Sequence, residues 1–246
     1  MKTNVLDVQF DGLTMDEALE RALALMDRKN RGEGKPVPYV VTPNPEIVWL
    51  CRKNPDLSRA VSKAAMTLPD GIGILYGARI LGTPLPERVA GFDFALNLFS
   101  RLAARGGSVF LLGARPGVAE KAAENLKNTY PGLVIAGTQD GYFKDEEPVI
   151  KKINEASPDL LLVCLGAPKQ ELFMEKNAPR LDVGLMAGLG GTLDVLAGEA
   201  RRAPEAWRRA NLEWLYRLLS QPSRIGRMMR LPLFLLAVLK RRVFGK

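Results

Sequence analysis

The polar side chains best suited to chemistry lie in short turns, each between an apolar run and a helix-like segment. Thr42 and Asn44 occur in a TPNP turn, Asp70 in a PDG turn and Asp194 in a GGTLD turn. Small polar groups on a proline-stiffened backbone suit the recognition of sugar hydroxyls, and a carboxylate can take a proton from an attacking hydroxyl. Asn and Asp are also favoured helix caps, and for each turn taken alone capping is the simpler interpretation.

Three further side chains are of types that contact phosphate or sugar. Arg88 lies in a proline-rich, non-helical segment, and Lys169 and Gln170 begin a helical pattern after the apolar run 160–165. A guanidinium is planar and pairs with two oxygens of a diphosphate when it lies near a cleft. On an open surface all three side chains would simply be solvated, so their role depends on where the fold places them.

The composition excludes several mechanisms. The sequence has no histidine, which excludes triads and zinc sites that use it, and it contains no Asp-x-Asp motif to hold a divalent ion. A glycosyl transfer would therefore have to neutralise its leaving diphosphate with Arg, Lys and helix amides. We expect neither a metal nor a cofactor, because the strict G-x-G-x-x-G fingerprint of NAD or FAD binding is also missing.

Apolar, β-rich runs alternate with helical patterns along residues 1–200. The runs lie at 5–10, 39–42, 66–68, 108–113, 133–137, 159–166 and 183–190, and the main helical patterns at 71–81, 93–105, 117–129, 146–156 and 169–177. This alternation predicts an α/β fold, a Rossmann-like and mostly parallel sheet with helices on both faces. Ligands of such sheets bind at the carboxyl ends of the strands, where glycine turns open helices whose amides attract phosphate.

The charge is concentrated at the end of the chain. Residues 201–246 hold twelve of the 35 Lys and Arg residues and two of the 27 acidic residues, a net charge of +10, which leaves −2 for residues 1–200. The apolar run 231–239 is shorter than the roughly 20 residues that span a bilayer, but it suits a helix lying in the membrane interface. We therefore predict an α/β catalytic domain over 1–200 and a basic helical appendage over 201–246 that binds an anionic membrane surface.

The sequence favours a peripheral position on the inner face of the cell membrane. The first residues contain no apolar stretch of signal-peptide type, and Cys51 and Cys164 are too few and too far apart in sequence for a disulfide framework or a metal cluster, which is typical of a reducing cytoplasm. Nucleic acid would also attract a basic tail, but the tail contains no recognisable nucleic-acid-reading motif. We expect no nucleic-acid partner.

Several segments together resemble one known family. They are VTPNPEIV, LPDGIGI, RVAGFD, LGAPKQE, GGTLDVLAG and the tail RRAPEAW…NLEWLYRL…QPSR. In this order they resemble the TagA/WecG/CpsF family of glycosyltransferases. The resemblance implies an inverting, metal-independent enzyme that moves N-acetylmannosamine from its UDP derivative to undecaprenyl-diphosphate-linked N-acetylglucosamine, in the synthesis of the wall teichoic acid linkage unit.

The resemblance also implies roles for individual residues. Asp70 would be the general base on the acceptor hydroxyl, and Arg88 would stabilise phosphate. The other implied residues bind substrates, and they are Thr42 and Asn44 in the sugar pocket, Gln170 at the donor sugar, Asp194 at the uridine, and Arg217, Arg224 and Arg227 in an appendage that closes over the site.

Other functions remain open from the sequence. Within the family the donor can be another UDP-sugar, such as the uronic acid form of N-acetylmannosamine. A non-catalytic, membrane-associated protein with a nucleotide fold would also fit, whereas an NAD-type oxidoreductase would need the missing fingerprint. The oligomeric state is left open.

Overall fold

A parallel β-sheet forms the centre of the molecule. The computed structural model describes residues 2–27, 34–220, 226 and 230–245, apart from the side chains at 217 and 220. The strands in this part are β1 Lys2–Val5, β2 Val8–Asp11, β3 Tyr39–Val41, β4 Met66–Thr67, β5 Ser108–Gly113, β6 Val134–Gln139, β7 Leu160–Cys164 and β8 Leu185–Gly188. Six of them form one sheet in the order β4-β3-β8-β7-β5-β6, with every neighbouring pair parallel. The predicted α/β fold is confirmed.

Helices cover both faces of this sheet. Along β5, Phe110 and Leu112 belong to one buried cluster, whereas Val109 and Leu111 belong to a second. Successive side chains of a strand point to opposite faces, so a continuous apolar run is buried only where both faces are covered. The helices are α1 Met15–Met26, α2 Pro45–Cys51, α3 Pro55–Ser62, α4 Ile72–Ile80, α5 Gly91–Ala103, α6 Val118–Thr129, α7 Glu147–Ala156, α8 Lys169–Asn177, α9 Thr192–Leu196, α10 Glu205–Arg209, α11 Glu213–Ser220 and α12 Arg230–Phe244.

The first apolar run is a hairpin, so the prediction of one strand over 5–10 is wrong. Leu6 and Asp7 have φ angles of +49° and +72°, and between them the chain reverses from β1 into antiparallel β2. Two consecutive residues with positive φ make the turn that matches the twist of a hairpin. The side chain of Asn4 stabilises it by accepting a hydrogen bond from the Asp7 amide at 3.0 Å.

The last helix packs one face against the body. In α12, Phe234 and Val238 are fully buried, and a Cβ atom placed on Gly77 of α4 would lie 3.0 Å from Cζ of Phe234. Ion pairs at 2.7 Å between Arg230 and Glu46 and at 2.8 Å between Arg241 and Asp7 hold the two ends of the helix. The apolar run therefore has a docked face and an outward face.

The outward face of α12 is largely apolar. Its exposed large apolar side chains are Leu233, Leu236, Leu239, Val243 and Phe244, and Lys240 and Arg242 are also exposed on this helix. Among the residues that the structure describes, no helix combines the length and hydropathy required to traverse a bilayer.

Replacing Phe234 with alanine tests this docking. Because Phe234 is fully buried, we expect Phe234→Ala to lower the free energy of unfolding by about 3–5 kcal/mol, through lost apolar burial and the cavity left behind. Leu236→Ala is the matched control, since this side chain is 62% exposed two residues along the same helix and should change stability by only about 0.5 kcal/mol. Urea unfolding measures both variants, and an equally small effect of the two would contradict the docked helix.

Candidate active site

A cavity of about 300 Å³ lies where the carboxyl ends of β3 and β4 meet α11 and α12. We call it the Asp70 cavity. Its wall has a polar side and an apolar side. The polar residues are Asn44, Glu46, Asp70, Arg88, Asn211 and Glu213, and the larger apolar ones are Pro45, Ile72, Tyr76, Trp214, Leu231 and Leu235. The body and residues 201–246 thus contribute to one cavity.

Asp70 is placed by backbone hydrogen bonds at the end of β4. Its amide donates to the Pro43 carbonyl at 3.3 Å, and Gly71, with φ of +86°, makes the turn into α4. Gly71 is the N-cap of that helix, and no side chain forms a cap hydrogen bond there. The interpretation of Asp70 as a helix cap is therefore wrong. Its carboxylate faces the cavity, about one third exposed.

Arg88 lies beside Asp70 because the next segment pairs with the same turn. The Val89 amide donates to the Pro69 carbonyl at 3.0 Å, which brings the Arg88 Nε to 3.9 Å from Asp70 Oδ1. This separation is that of an ion pair and is too long for a hydrogen bond. The proline-rich segment thus has a defined position in the structure and is not a solvated loop.

Glu213 of α11 holds the other side of Arg88. The Arg88 Nη2 donates to Glu213 Oε2 at 2.7 Å, and both side chains are largely buried. Burial acts to lower the pKa of Arg88, but the charge of Asp70 and the hydrogen bond to Glu213 outweigh it, so that the net pKa is raised. Sequence reasoning misses Glu213, whose only signal is that it is one of two acidic residues in a strongly basic tail.

Asn44 caps a helix and lies at the cavity, and its role in sugar binding stays a prediction. Its Oδ1 accepts a hydrogen bond from the Ile47 amide at 3.0 Å and caps α2, and the residue also lines the Asp70 cavity. Thr42 does not line this cavity. It is buried under α5, where a Cβ on Gly91 would lie 3.0 Å from its Oγ1. The predicted role of Thr42 in the sugar pocket stays a prediction.

The remaining described candidates follow strands β7 and β8. In the sheet, β8 lies between β3 and β7. Gln170 is buried against the turn at Gly190, and its Oε1 has no hydrogen-bond partner in the described part of the chain. Asp194 lies in the first turn of α9. Lys169 donates from Nζ to the Gly141 carbonyl at 2.8 Å and lies over the Phe143 ring.

Neighbouring strand ends therefore carry most of the candidates along one edge of the sheet. Asp70 follows β4 and Gln170 follows β7, but Gln170 lies against Gly190 after β8, and β8 pairs with β3, the strand before Asn44. Three candidates of the appendage cannot be placed, since the Arg217 side chain, Arg224 and Arg227 lie outside the described residues. Their roles stay predictions.

Comparison with known proteins gives a match over nearly the whole chain. The sequence model of the glycosyl transferase WecG/TagA/CpsF family matches residues 3–246. A protein of Bacillus spizizenii is 40% identical over 202 residues, covering 82% of this chain and 79% of its own length. A protein of Staphylococcus aureus is 31% identical over 239 residues, covering 97% of this chain and 92% of its own. Both are named N-acetylglucosaminyldiphosphoundecaprenol N-acetyl-beta-D-mannosaminyltransferase.

A buried carboxyl group, that of Glu171, lies next to Gln170 in the first turn of α8. Glu171 is 1% exposed and accepts a hydrogen bond at 2.9 Å from Nε2 of Gln170. Burial raises the pKa of Glu171 above its ordinary value of 4.5, and the hydrogen bond from Gln170 only partly offsets this. The pKa of Glu171 is therefore higher in the folded protein than in the unfolded chain, so the stability of the fold depends on pH.

Glu171→Gln is expected to weaken this dependence. The stability contributed by Glu171 is full below pH 4.5 and is lost as the pH rises through the raised native pKa. Glutamine copies the protonated carboxyl, so the free energy of unfolding of the variant should fall less than that of the wild type above pH 4.5. Urea titrations at a series of pH values measure the difference.

Glu175→Gln, one turn further along α8, is the control of opposite sign. Hydrogen bonds from Arg59 and Lys63 lower the pKa of Glu175, so its contribution is lost as the pH falls. Glu175→Gln should change the free energy of unfolding only on the acid side of the pH profile, where the wild-type Glu175 becomes protonated. Identical pH profiles for the wild type and Glu171→Gln above pH 4.5 would contradict the raised pKa of Glu171.

Proposed function

This chain belongs to the WecG/TagA/CpsF family of glycosyltransferases, and we propose that it transfers N-acetylmannosamine from UDP-N-acetylmannosamine to undecaprenyl-diphosphate-linked N-acetylglucosamine. The relatives that carry this acceptor and this sugar in their names support the choice of substrates. The reaction would build the linkage unit of wall teichoic acid. The observation that supports chemistry at this site is a carboxylate beside a buried guanidinium in one cavity, Asp70 and Arg88.

Asp70 acts as the general base of the proposed transfer. Its carboxylate takes the proton of the acceptor hydroxyl while the hydroxyl oxygen attacks the anomeric carbon of the donor sugar. The bond from that carbon to the diphosphate breaks, and UDP leaves with the electron pair. Attack opposite to the leaving group inverts the anomeric configuration through an oxocarbenium-like transition state. One carboxylate is enough for an inverting transfer, because no covalent intermediate forms.

Arginines supply the positive charge at the leaving diphosphate. The sequence has no histidine and no Asp-x-Asp motif, and in the described ranges no group of three His, Cys, Asp or Glu side chains is arranged to hold a metal ion. Fixed positive groups placed where negative charge develops stabilise a transition state without rearranging. Arg88 is one of them, and Arg217, Arg224 and Arg227 add to it on the strength of the family resemblance.

The appendage, residues 201–246, brings the site to the membrane in this proposal. Leu231 and Leu235 of α12 line the apolar side of the Asp70 cavity, while Leu236 and Leu239 are exposed on the outer surface. A basic helix with an apolar outward face suits the interface of an anionic membrane. The lipid-linked acceptor would enter from that side, and the protein would act as a peripheral enzyme on the inner face.

Asp70→Asn tests the proposed base. The amide keeps the size of the carboxylate but cannot accept the proton, so we expect kcat to fall by ~10²–10⁴-fold. The affinity for UDP and the unfolding temperature should stay close to the wild-type values. UDP release is measured with UDP-N-acetylmannosamine and a short-chain lipid diphosphate acceptor, in EDTA because the proposal involves no metal.

The matched control is Asp56→Asn, which alters an exposed aspartate paired with Arg59 on the surface. It should keep the wild-type rate. A wild-type rate for Asp70→Asn would refute the role of Asp70 as base, and an absolute need for magnesium or manganese would refute the metal-free mechanism.

A further inference from the structure

A second cavity of about 270 Å³ lies on the other side of Arg88. We call it the arginine cavity. Arg88 lines both this cavity and the Asp70 cavity, so the two share a wall. The arginine cavity is lined by four guanidinium groups and two carboxylates, those of Arg88, Arg202, Arg208, Arg209, Asp93 and Glu205. The formal charge of its wall is therefore +2.

Arg202 is fixed in place at this cavity. Its Nη2 donates to Asp93 Oδ2, and its guanidinium lies over the Phe92 ring, with Cζ 4.8 Å from the ring centre. The side chain is only 19% exposed. A charged group held in this way has already lost its conformational freedom before a ligand binds. This favours the binding of a ligand of opposite charge.

Three of these arginines bury a donor that has no acceptor. The Nε atoms of Arg88, Arg202 and Arg208 are inaccessible to solvent and have no hydrogen-bond partner in the described part of the chain. A buried guanidinium N–H without a partner is costly, and fully paired guanidinium groups are the rule in a merely structural ion-pair network. The Nε of Arg88 faces Asp70 at 3.9 Å, but Arg202 and Arg208 each keep an unpaired donor in the wall of the arginine cavity, which favours an acceptor-rich anion there.

We propose that the arginine cavity binds a diphosphate, with Arg202 and Arg208 as binding residues beside Arg88. The planar fork of arginine matches phosphoryl oxygens, and the wall charge of +2 balances a diphosphate group. This inference rests on the proposed function, in which both substrates carry a diphosphate. The donor nucleotide and the lipid-linked acceptor are the two sources of this ligand chemistry.

The position of the cavity connects it to the reaction. It lies at the beginning of α5, where Ala90 and Asp93 form part of its wall, and α5 contacts α9, the helix that carries Asp194. Arg88 at the shared wall would contact the diphosphate from one side and Asp70 from the other. A diphosphate held here would lie close to the proposed base without contacting its carboxylate.

Direct binding measurements test the proposal without requiring transfer. Arg202→Gln and Arg208→Gln are compared with Arg201→Gln, a matched control because Arg201 is exposed, adjacent and not part of the cavity wall. Calorimetry with UDP, with uridine and with a short-chain prenyl diphosphate N-acetylglucosamine separates the two sources. Loss of one charged hydrogen bond should weaken binding by about tenfold or more.

A tenfold loss for UDP with uridine unchanged assigns the cavity to the donor, and the same loss for the prenyl diphosphate assigns it to the acceptor. Either result supports the proposal. Unchanged affinity for both ligands in both variants would overturn it, as would an equal loss in Arg201→Gln. Arg202→Gln removes the ion pair with Asp93 and could weaken binding by disturbing the local fold. Arg208→Gln leaves this ion pair intact, so a loss of affinity in that variant does not come from breaking it. A failed transfer assay with intact diphosphate binding would count against the proposed function alone.

Discussion

The ion pair between Arg88 and Glu213 joins the α/β body to the C-terminal segment 201–246, which we predict to be an appendage, and the candidate site depends on this pair. Arg88 reaches this position through the backbone bond between Val89 and Pro69, which also places it beside Asp70. Glu213 comes from α11, so the two halves of the pair are 125 residues apart. Because a buried charge that loses its partner is strongly destabilising, docking of the appendage and completion of the site are energetically coupled.

Close backbone packing makes this docking possible. Glycine at positions 73 and 77 lets α12 approach α4, since a Cβ at Gly77 would lie 3.0 Å from Phe234. The same helix has two different faces. One face packs on the body and lines the Asp70 cavity with Leu231 and Leu235, and the other presents apolar side chains outward. In the proposed function, the outward apolar face would meet the membrane beside the cavity that takes the lipid-linked acceptor.

Local patterns predict the sheet but not the contacts that complete the site. The continuous apolar run that becomes Leu160–Cys164 and the helix Lys169–Asn177 follow from periodicity and burial, which are local properties. The hairpin at Leu6 and Asp7 has no glycine to signal its turn, so its sequence predicts a single strand. Glu213 and the arginine cavity arise from pairing between distant segments, and composition alone describes those residues as part of a basic tail. Asp70 is identifiable from the sequence as a candidate, but only the structure shows that Gly71, and not Asp70, is the N-cap of α4.

A double-mutant cycle on Arg88 and Glu213 tests most directly whether this pair builds the site. The measurement is kcat/KM for the wild type, Arg88→Gln, Glu213→Gln and the double variant. If Glu213 acts by holding Arg88, Glu213→Gln slows the wild-type enzyme but has little further effect once Arg88 is already glutamine. If Glu213→Gln reduces kcat/KM by the same factor in both backgrounds, the two residues act independently and the account is contradicted.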